Sequence, residues 1–170
     1  APEDGTYVIQ VRESSYAGNG GCVYRLHVGN APRPMVAYPA GGKAGEEVEV
    51  KLLGDVTGDI VQKIKLPATA APGSHEFHYF TVQNGQSSPS PNTLRVSPFG
   101  NVLEAEPNND VATATKFDAE IPVAFNGIIE SKGDVDFFRF KAKAGQQFHV
   151  NAVARGIRSP LDPVLTIHNA

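Results

Sequence analysis

Apolar and polar residues alternate in short runs along this chain, beginning close to its first residues. Between residues 6 and 12, Tyr7, Ile9 and Val11 lie on one side of an extended backbone, because successive side chains of a strand point to opposite faces. Residues 22–28 alternate in the same way after a glycine-rich loop. The two runs predict an antiparallel hairpin over residues 6–28 with one face in water.

Prolines mark the next part of the chain. Pro32 and Pro34 lack the backbone N–H that a strand ladder needs, so they predict a domain boundary. Four runs with the pattern of strands follow, at residues 47–52, 60–65, 76–82 and 93–96. The third run leads to Asn84-Gly85, a dipeptide typical of hairpin turns. The pattern predicts a small immunoglobulin-like β-sandwich over residues 34–98.

A second break at residues 98–100 precedes an acidic linker and the last set of expected strands. These strands are predicted at residues 121–129, 136–142, 147–154 and 162–168. No stretch shows the apolar rhythm of a helix longer than two turns. We therefore predict an all-β fold with two small antiparallel β-sandwich units, the second of them over residues 103–170.

The charge and apolar content of the chain exclude some partners. The formal net charge is −3 at pH 7 and the basic residues are scattered, so we expect no nucleic-acid partner. No apolar run reaches the roughly 18–20 residues of a membrane helix, so we expect no membrane insertion. The first residues lack the pattern of a signal peptide, so an export signal is expected upstream. The single cysteine, Cys22, excludes an internal disulfide, and we interpret it as a buried strand residue.

The motifs of common enzymes are missing from the sequence. No serine stands in a G-x-S-x-G elbow, and residues 41–45 do not have the spacing of a phosphate-binding loop. His75 and His78 would point to opposite faces of a strand, so they do not predict a zinc site. We therefore expect a protein that is not an enzyme.

Five short segments follow one another in the last third of the chain, at residues 104–110, 126–129, 133–140, 144–146 and 161–165. In this order they resemble the bacterial pre-peptidase C-terminal (PPC) domain. Residues 103–170 resemble the first part of such a domain, and residues 1–30 resemble its C-terminal hairpin. Residues 38–42 and 48–54 are similar to immunoglobulin-like IPT/TIG modules. The resemblance implies a jelly-roll-like PPC sandwich beside an immunoglobulin-like module, a layout typical of very large exported bacterial proteins.

The two PPC-like parts, residues 1–30 and 103–170, are each incomplete. Half of a sandwich exposes an apolar face and unpaired strand edges. We therefore expect the hairpin 6–28 to pack with residues 121–168, either within one chain or by swapping with a second copy. The alternative is that the chain is an excerpt of a longer array, with artificial ends.

The acidic linker is the strongest candidate for a binding site. Glu104, Glu106 and Asn108 share one side of an extended backbone by their spacing of two, and Asp134 and Asp136 share the same spacing. Calcium takes six to eight oxygen ligands, and the resemblance to collagen-binding relatives implies calcium as the cofactor. The implied ligands are Glu104, Glu106, Asn108, Asn109, Asp134 and Asp136. The alternative is a solvated linker whose Asn109 or Asp110 caps a single helical turn.

The function expected from these features is a non-catalytic accessory or adhesive segment of a large exported bacterial protein. It would serve for spacing, for stabilisation or for attachment to an extracellular polysaccharide or protein polymer, and it would contact neighbouring domains of the parent protein. The expected location is outside the cell, either secreted or on the cell surface. The alternative is a C-terminal segment that aids the secretion or processing of a secreted peptidase.

Overall fold

The computed structural model describes residues 1–69 and 75–169. Two parts of the predicted units lie outside the described residues. These are residues 70–74 of the 34–98 unit and residue 170 of the 103–170 unit. Among the described residues all regular structure is β apart from one 3-10 turn, which confirms the all-β prediction. The strands are β1 (Val36–Tyr38), β2 (Gly41–Lys43), β3 (Glu47–Leu53), β4 (Ile60–Lys65), β5 (Glu76–Tyr79), β6 (Val82–Gln83), β7 (Gln86–Ser87), β8 (Asn92–Ser97), β9 (Asn101–Leu103), β10 (Thr115–Lys116), β11 (Ala124–Asn126) and β12 (Phe138–Arg139), and the 3-10 turn is Arg155–Ile157.

The hydrophobic core lies between two three-stranded sheets, with strand orders β1-β3-β4 and β2-β8-β5. Strand β3 follows its sequence pattern, because Val48, Val50 and Leu52 are buried while the residues between them are exposed. Leu94 and Val96 of β8 contribute to the same core from the second sheet. Burial of these apolar side chains removes them from water and is the main stabilising contribution to this part of the fold.

The strand pairing is mixed, whereas the sequence predicted antiparallel pairing throughout. Strand β3 pairs antiparallel with β1 and β4, and β5 pairs antiparallel with β8. Strand β2 pairs in parallel with β8. Between β1 and β2 the chain passes from the first sheet to the second, at Pro39 and Ala40. The crossing brings the backbone of Gly41 so close to the carbonyl of Arg95 that a Cβ atom there would overlap it. A glycine at this position therefore permits the change of sheet.

The region after residue 100 has less regular structure than predicted. Strand β9 pairs with β11 and β10 pairs with β12, both in parallel and both over three residues or fewer. Aromatic side chains pack between these elements: the rings of Phe125 and Phe138 stack with centroids 4.8 Å apart, and Phe117 meets Phe125 edge to face at 6.1 Å. The strands predicted at 147–154 and 162–168 are not formed. Aromatic packing thus accompanies these short strand pairs.

The hairpin predicted over residues 6–28 is also not formed. No residue between 1 and 30 belongs to a strand, and every one of them is exposed, Cys22 included. A hairpin that completed a sandwich with residues 121–168 would bury Tyr7 and Ile9, but these side chains are 53% and 54% exposed. The expected packing within one chain is thus wrong for this structure. The physical reason is that an isolated two-stranded hairpin is marginal in water unless another layer covers its apolar face.

Two valines provide a direct test of the core. Val50 is fully buried in β3, whereas Val56 in the following turn is fully exposed. We expect Val50→Ala to lower the free energy of unfolding by about 1–3 kcal/mol, because two buried methyl groups are lost and a cavity is left. The matched control Val56→Ala should change it by less than about 0.5 kcal/mol. Urea unfolding of both variants measures the difference, and equal effects would contradict the assigned core.

Candidate functional site

Three acidic side chains, Glu104, Glu106 and Asp136, converge where the 34–98 unit joins the following segment. One carboxylate oxygen from each lies within 4.8 Å of the other two, and we call this group the carboxylate cluster. Glu104 follows the last residue of β9, and Asp136 lies just before β12. The backbone N–H of Phe137 donates to the carbonyl of Asn108 at 3.0 Å. This bond holds the acidic linker beside the strand that carries Asp136, so residues distant in sequence form one cluster.

The backbone after β11 fixes the position of Glu104. The N–H of Ile128 donates to Oε1 and Oε2 of Glu104 at 2.9 and 3.0 Å. The preceding residue, Gly127, passes so close to the carboxylates of Glu104 and Asp136 that a Cβ atom on it would overlap Asp136. A side chain at this position would displace the two carboxylates from their present positions. The sequence segment 126–129 therefore contributes to the cluster through its backbone and not through acidic side chains.

Burial raises the pKa values of two of the carboxylates, Asp136 and Glu104. Burial, and then the nearby charge of Glu104, raise the pKa of Asp136 to about 7. Burial also raises the pKa of Glu104, and the hydrogen bonds from Ile128 and Tyr38 partly offset this effect. None of the ion pairs found among the described residues involves a member of the cluster. The negative charge of the cluster is thus not balanced by a basic side chain within that part of the chain.

Two buried oxygens near the cluster have no hydrogen-bond donor. Asn108 is fully buried; its Nδ2 donates to Thr115 Oγ1 at 3.4 Å, but its Oδ1 accepts no hydrogen bond. Asp136 Oδ1 is likewise buried without a partner. Buried polar atoms are normally satisfied, and each exception requires an explanation. Oxygen atoms that lack a donor are the atoms that a bound cation would use.

Two other predicted ligands, Asn109 and Asp134, accept hydrogen bonds from backbone N–H groups. Asn109 Oδ1 accepts from the N–H of Val135 at 3.2 Å, and Asp134 Oδ2 accepts from the N–H of Glu130 at 2.7 Å. Asp110 Oδ1 accepts from the N–H of Ala112 at 2.8 Å, as a capping residue does, although residues 111–113 form a turn and not a helix. Of the six predicted ligands, the structure brings Glu104, Glu106 and Asp136 together and leaves Asn109 and Asp134 to support the loops around them.

Sequence reasoning missed Tyr38. Its hydroxyl lies 3.4 Å from Glu104 Oε1 and 3.4 Å from the carbonyl of Asn126. Burial, followed by the negative charge of Glu104, raises the pKa of Tyr38 to about 12. Two further hydrogen bonds cross the same junction: Ala40 N–H donates to Asn126 Oδ1 at 3.0 Å, and Asn101 Nδ2 donates to the carbonyl of Gly41 at 2.7 Å. No local pattern links Tyr38 to an acidic residue 66 positions away, so only the fold reveals this contact.

The donor set fits a calcium ion. All of the converging atoms are carboxylate oxygens, which hard cations prefer, and none is a sulfur or imidazole nitrogen. Opposite ligands of one calcium ion stand roughly 4.6–5.2 Å apart, since each bond is about 2.3–2.6 Å long. The separation within the cluster does not exceed that span. The three carboxylate oxygens therefore lie close enough together to contact one cation, which would need further oxygen ligands to complete its coordination.

Comparison with known proteins gives no further assignment for this site. No protein-family model, no curated protein and no solved structure matches the chain. Among the described residues, no helix has both the length and the apolar character needed to cross a membrane. The PPC and IPT/TIG resemblances therefore rest on the sequence segments that suggested them.

The raised pKa of Asp136 predicts a pH dependence of stability. The folded-state value of about 7 lies above the ordinary 3.8, so folding favours the protonated carboxyl group. The resulting stabilisation is complete below about pH 4 and is lost as the pH rises through about 7. We expect the melting temperature of the chain, measured in chelator, to fall over this range more steeply than that of Asp136→Asn. Exposed Asp4 supplies the control variant Asp4→Asn, which should retain the slope of the wild type; identical slopes for all three proteins would refute the prediction.

Proposed function

We propose that this chain is a non-catalytic accessory or adhesive segment of a large exported bacterial protein, and that calcium bound by Glu104, Glu106 and Asp136 supports its structure. The main supporting observation is the position of the carboxylate cluster at the junction between the 34–98 unit and the following segment. In this proposal the first unit is an immunoglobulin-like, IPT/TIG-like module and residues 103–170 belong to a PPC-like sandwich. The segment would lie at the cell surface or in the secreted protein.

The electrostatics of the cluster support a bound cation. No ion pair joins these three carboxylates to a basic side chain in the described part of the chain. Burial, and then the charge of a neighbouring carboxylate, raise the pKa values of Asp136 and Glu104. A divalent cation would remove the repulsion and satisfy acceptors such as Asp136 Oδ1. Extracellular modules typically bind calcium with a Kd of about 0.1–1 mM. A site of this kind would be filled outside the cell and empty inside it.

The hydrogen bonds around the cluster link cation binding to the spacing role. Glu104 contacts Tyr38 of β1 on one side and the backbone of Ile128 on the other. An ion that fixed Glu104 against Asp136 would also fix the first unit against the segment that follows. A calcium-loaded chain would then act as a stiff spacer, and a calcium-free chain would bend more easily at the junction.

Calcium should stabilise the full chain. Starting from protein stripped by a chelator, we expect the melting temperature to rise by about 3–6 °C at a calcium concentration ten times the Kd, because binding to the folded state alone contributes about 1.4 kcal/mol. Asp136→Asn should reduce the rise to less than about 1 °C. Exposed Glu47 in β3 lies outside the cluster, so Glu47→Gln should respond as the wild type does. Differential scanning calorimetry measures the shift, and its absence at millimolar calcium would remove the proposed site.

Two glycines near the junction offer a matched test that leaves the ligands unchanged. A Cβ atom on Gly127 would overlap Asp136, whereas a Cβ atom on Gly100 would meet nothing within 4 Å. We expect Gly127→Ala to weaken calcium binding about tenfold or more, and Gly100→Ala to leave it unchanged, when both are titrated by calorimetry. Equal affinities would show that calcium binds elsewhere.

The adhesive role can be tested with extracellular polymers. We expect the purified chain to be retained on at least one of insoluble collagen, chitin and peptidoglycan in the presence of millimolar calcium. Addition of a chelator, or the Asp136→Asn substitution, should reduce the retained fraction at least about twofold if the stiffened junction is needed for binding. Sedimentation with each polymer measures the bound fraction. A chain that binds none of the three would contradict the adhesive role and leave only that of a spacer.

A further inference from the structure

Most of the exposed large apolar side chains of this protein lie in two segments. We call residues 6–28 the N-terminal segment and residues 147–168 the C-terminal segment. Of the twenty-five exposed large apolar side chains among the described residues, nine fall in the first segment and seven in the second. Single exposed apolar residues are normal, but this concentration is not. Each of the two segments therefore exposes apolar surface that a binding partner would bury.

Both segments have the features of strands that lack a pairing partner. Ile9 and Val11 alternate with polar residues in the first, as do Phe148 and Val150 in the second. No residue of either segment belongs to a strand in the structure. Residues 6–28 and 147–154 contain no proline and few charges, so they lack the usual devices that prevent pairing between chains. Their backbone groups belong to no strand among the described residues and are open to a further strand. Within the second segment, Phe148 already packs edge to face on Phe140, and Pro160 and Pro163 limit strand pairing to the residues before and after them.

The apolar area is sufficient for a stable interface. Burial of a large apolar side chain removes roughly 60–120 Å² from water, so these sixteen side chains, which are between 36% and 92% exposed, offer roughly 800 Å² per copy. A standard stable complex buries about 800 Å² on each partner. The outer face of the first sheet is a poorer candidate, since Glu47 and Glu49 of β3 stand opposite Lys65 and Lys63 of β4. That face presents charged side chains of both signs.

We propose that two copies of this chain associate reciprocally, with the N-terminal segment of each copy pairing with the C-terminal segment of the other. The two segments of one chain do not pair with each other in the structure, so both are free for a second copy. In a two-fold dimer of this kind, both segments of both copies take part in the interface. Pairing of each segment with its own equivalent would not require the N-terminal segment to contact the C-terminal segment. The surfaces involved lie outside the carboxylate cluster, so the proposal does not depend on calcium.

Complementation between variants tests the proposal in the full chain. The first variant carries Ile9→Asp and Leu26→Asp in the N-terminal segment. The second carries Val150→Asp and Leu165→Asp in the C-terminal segment. In each variant the buried unpaired charges should raise the dimer Kd about 100-fold or more. An equimolar mixture of the two should form a heterodimer, because one unaltered pair of segments survives. Val56→Asp, on an exposed turn outside both segments, should dimerise as the wild type does. Sedimentation velocity, run at roughly 10–100 µM protein, distinguishes the monomer from the dimer in each sample.

The exposed side chain of Cys22 supplies an independent readout. Separate samples labelled there with a donor and an acceptor fluorophore should show energy transfer when mixed, and the double-aspartate variants should not show it on their own. A monomeric wild type whose residues 6–28 are protected from hydrogen exchange would overturn the proposal in favour of packing within one chain. A mixture of the two variants that stays monomeric, or large aggregates that the substitutions do not change, would overturn it as well.

Discussion

Burial of the inward-facing side chains of β3 and β8 between two sheets is the interaction on which the ordered part of this molecule depends. Val50, Leu52 and Leu94 are completely removed from water, and their burial fixes the strands on either side of them. Strand β1 pairs with β3, and the chain leaves β8 only three residues before β9 begins. The core thus positions Tyr38 at one side of the junction and Glu104 at the other, so the candidate site follows from the packing.

The carboxylate cluster combines strong local support with an unbalanced charge. Ile128 donates to Glu104, Gly127 leaves space for two carboxylates, and Phe137 ties the acidic linker to the segment that carries Asp136. These contacts hold three acids close together even though their mutual repulsion is unfavourable. Arrangements of this kind persist when the surrounding structure or a ligand compensates for the cost. The calcium of our proposal would supply such compensation, since hard cations prefer oxygen ligands.

The two ends of the chain contrast with the core. The segments 6–28 and 147–168 have the composition of strands, yet they carry most of the exposed large apolar surface. In the core each apolar face meets a second sheet, whereas in these segments no second layer covers it. A spacer with a calcium-dependent junction and a self-associating pair of ends would form a closed dimer that contains two such junctions. The two proposals concern different surfaces and can fail independently.

The sequence by itself determined which residues can form strands and which way their apolar faces point. The alternation of β3 and β4, the turn at Asn84-Gly85 and the all-β class follow from local pattern, and so does the grouping of Glu104 with Glu106. Only the tertiary structure decided which strands are neighbours: the parallel pairing of β2 with β8, the contact of Tyr38 with Glu104, and the role of Gly127. It also decided that residues 6–28 form no hairpin. The physical reason is that alternation identifies an apolar face but not the layer that covers it, and that layer is contributed by residues far away in the sequence.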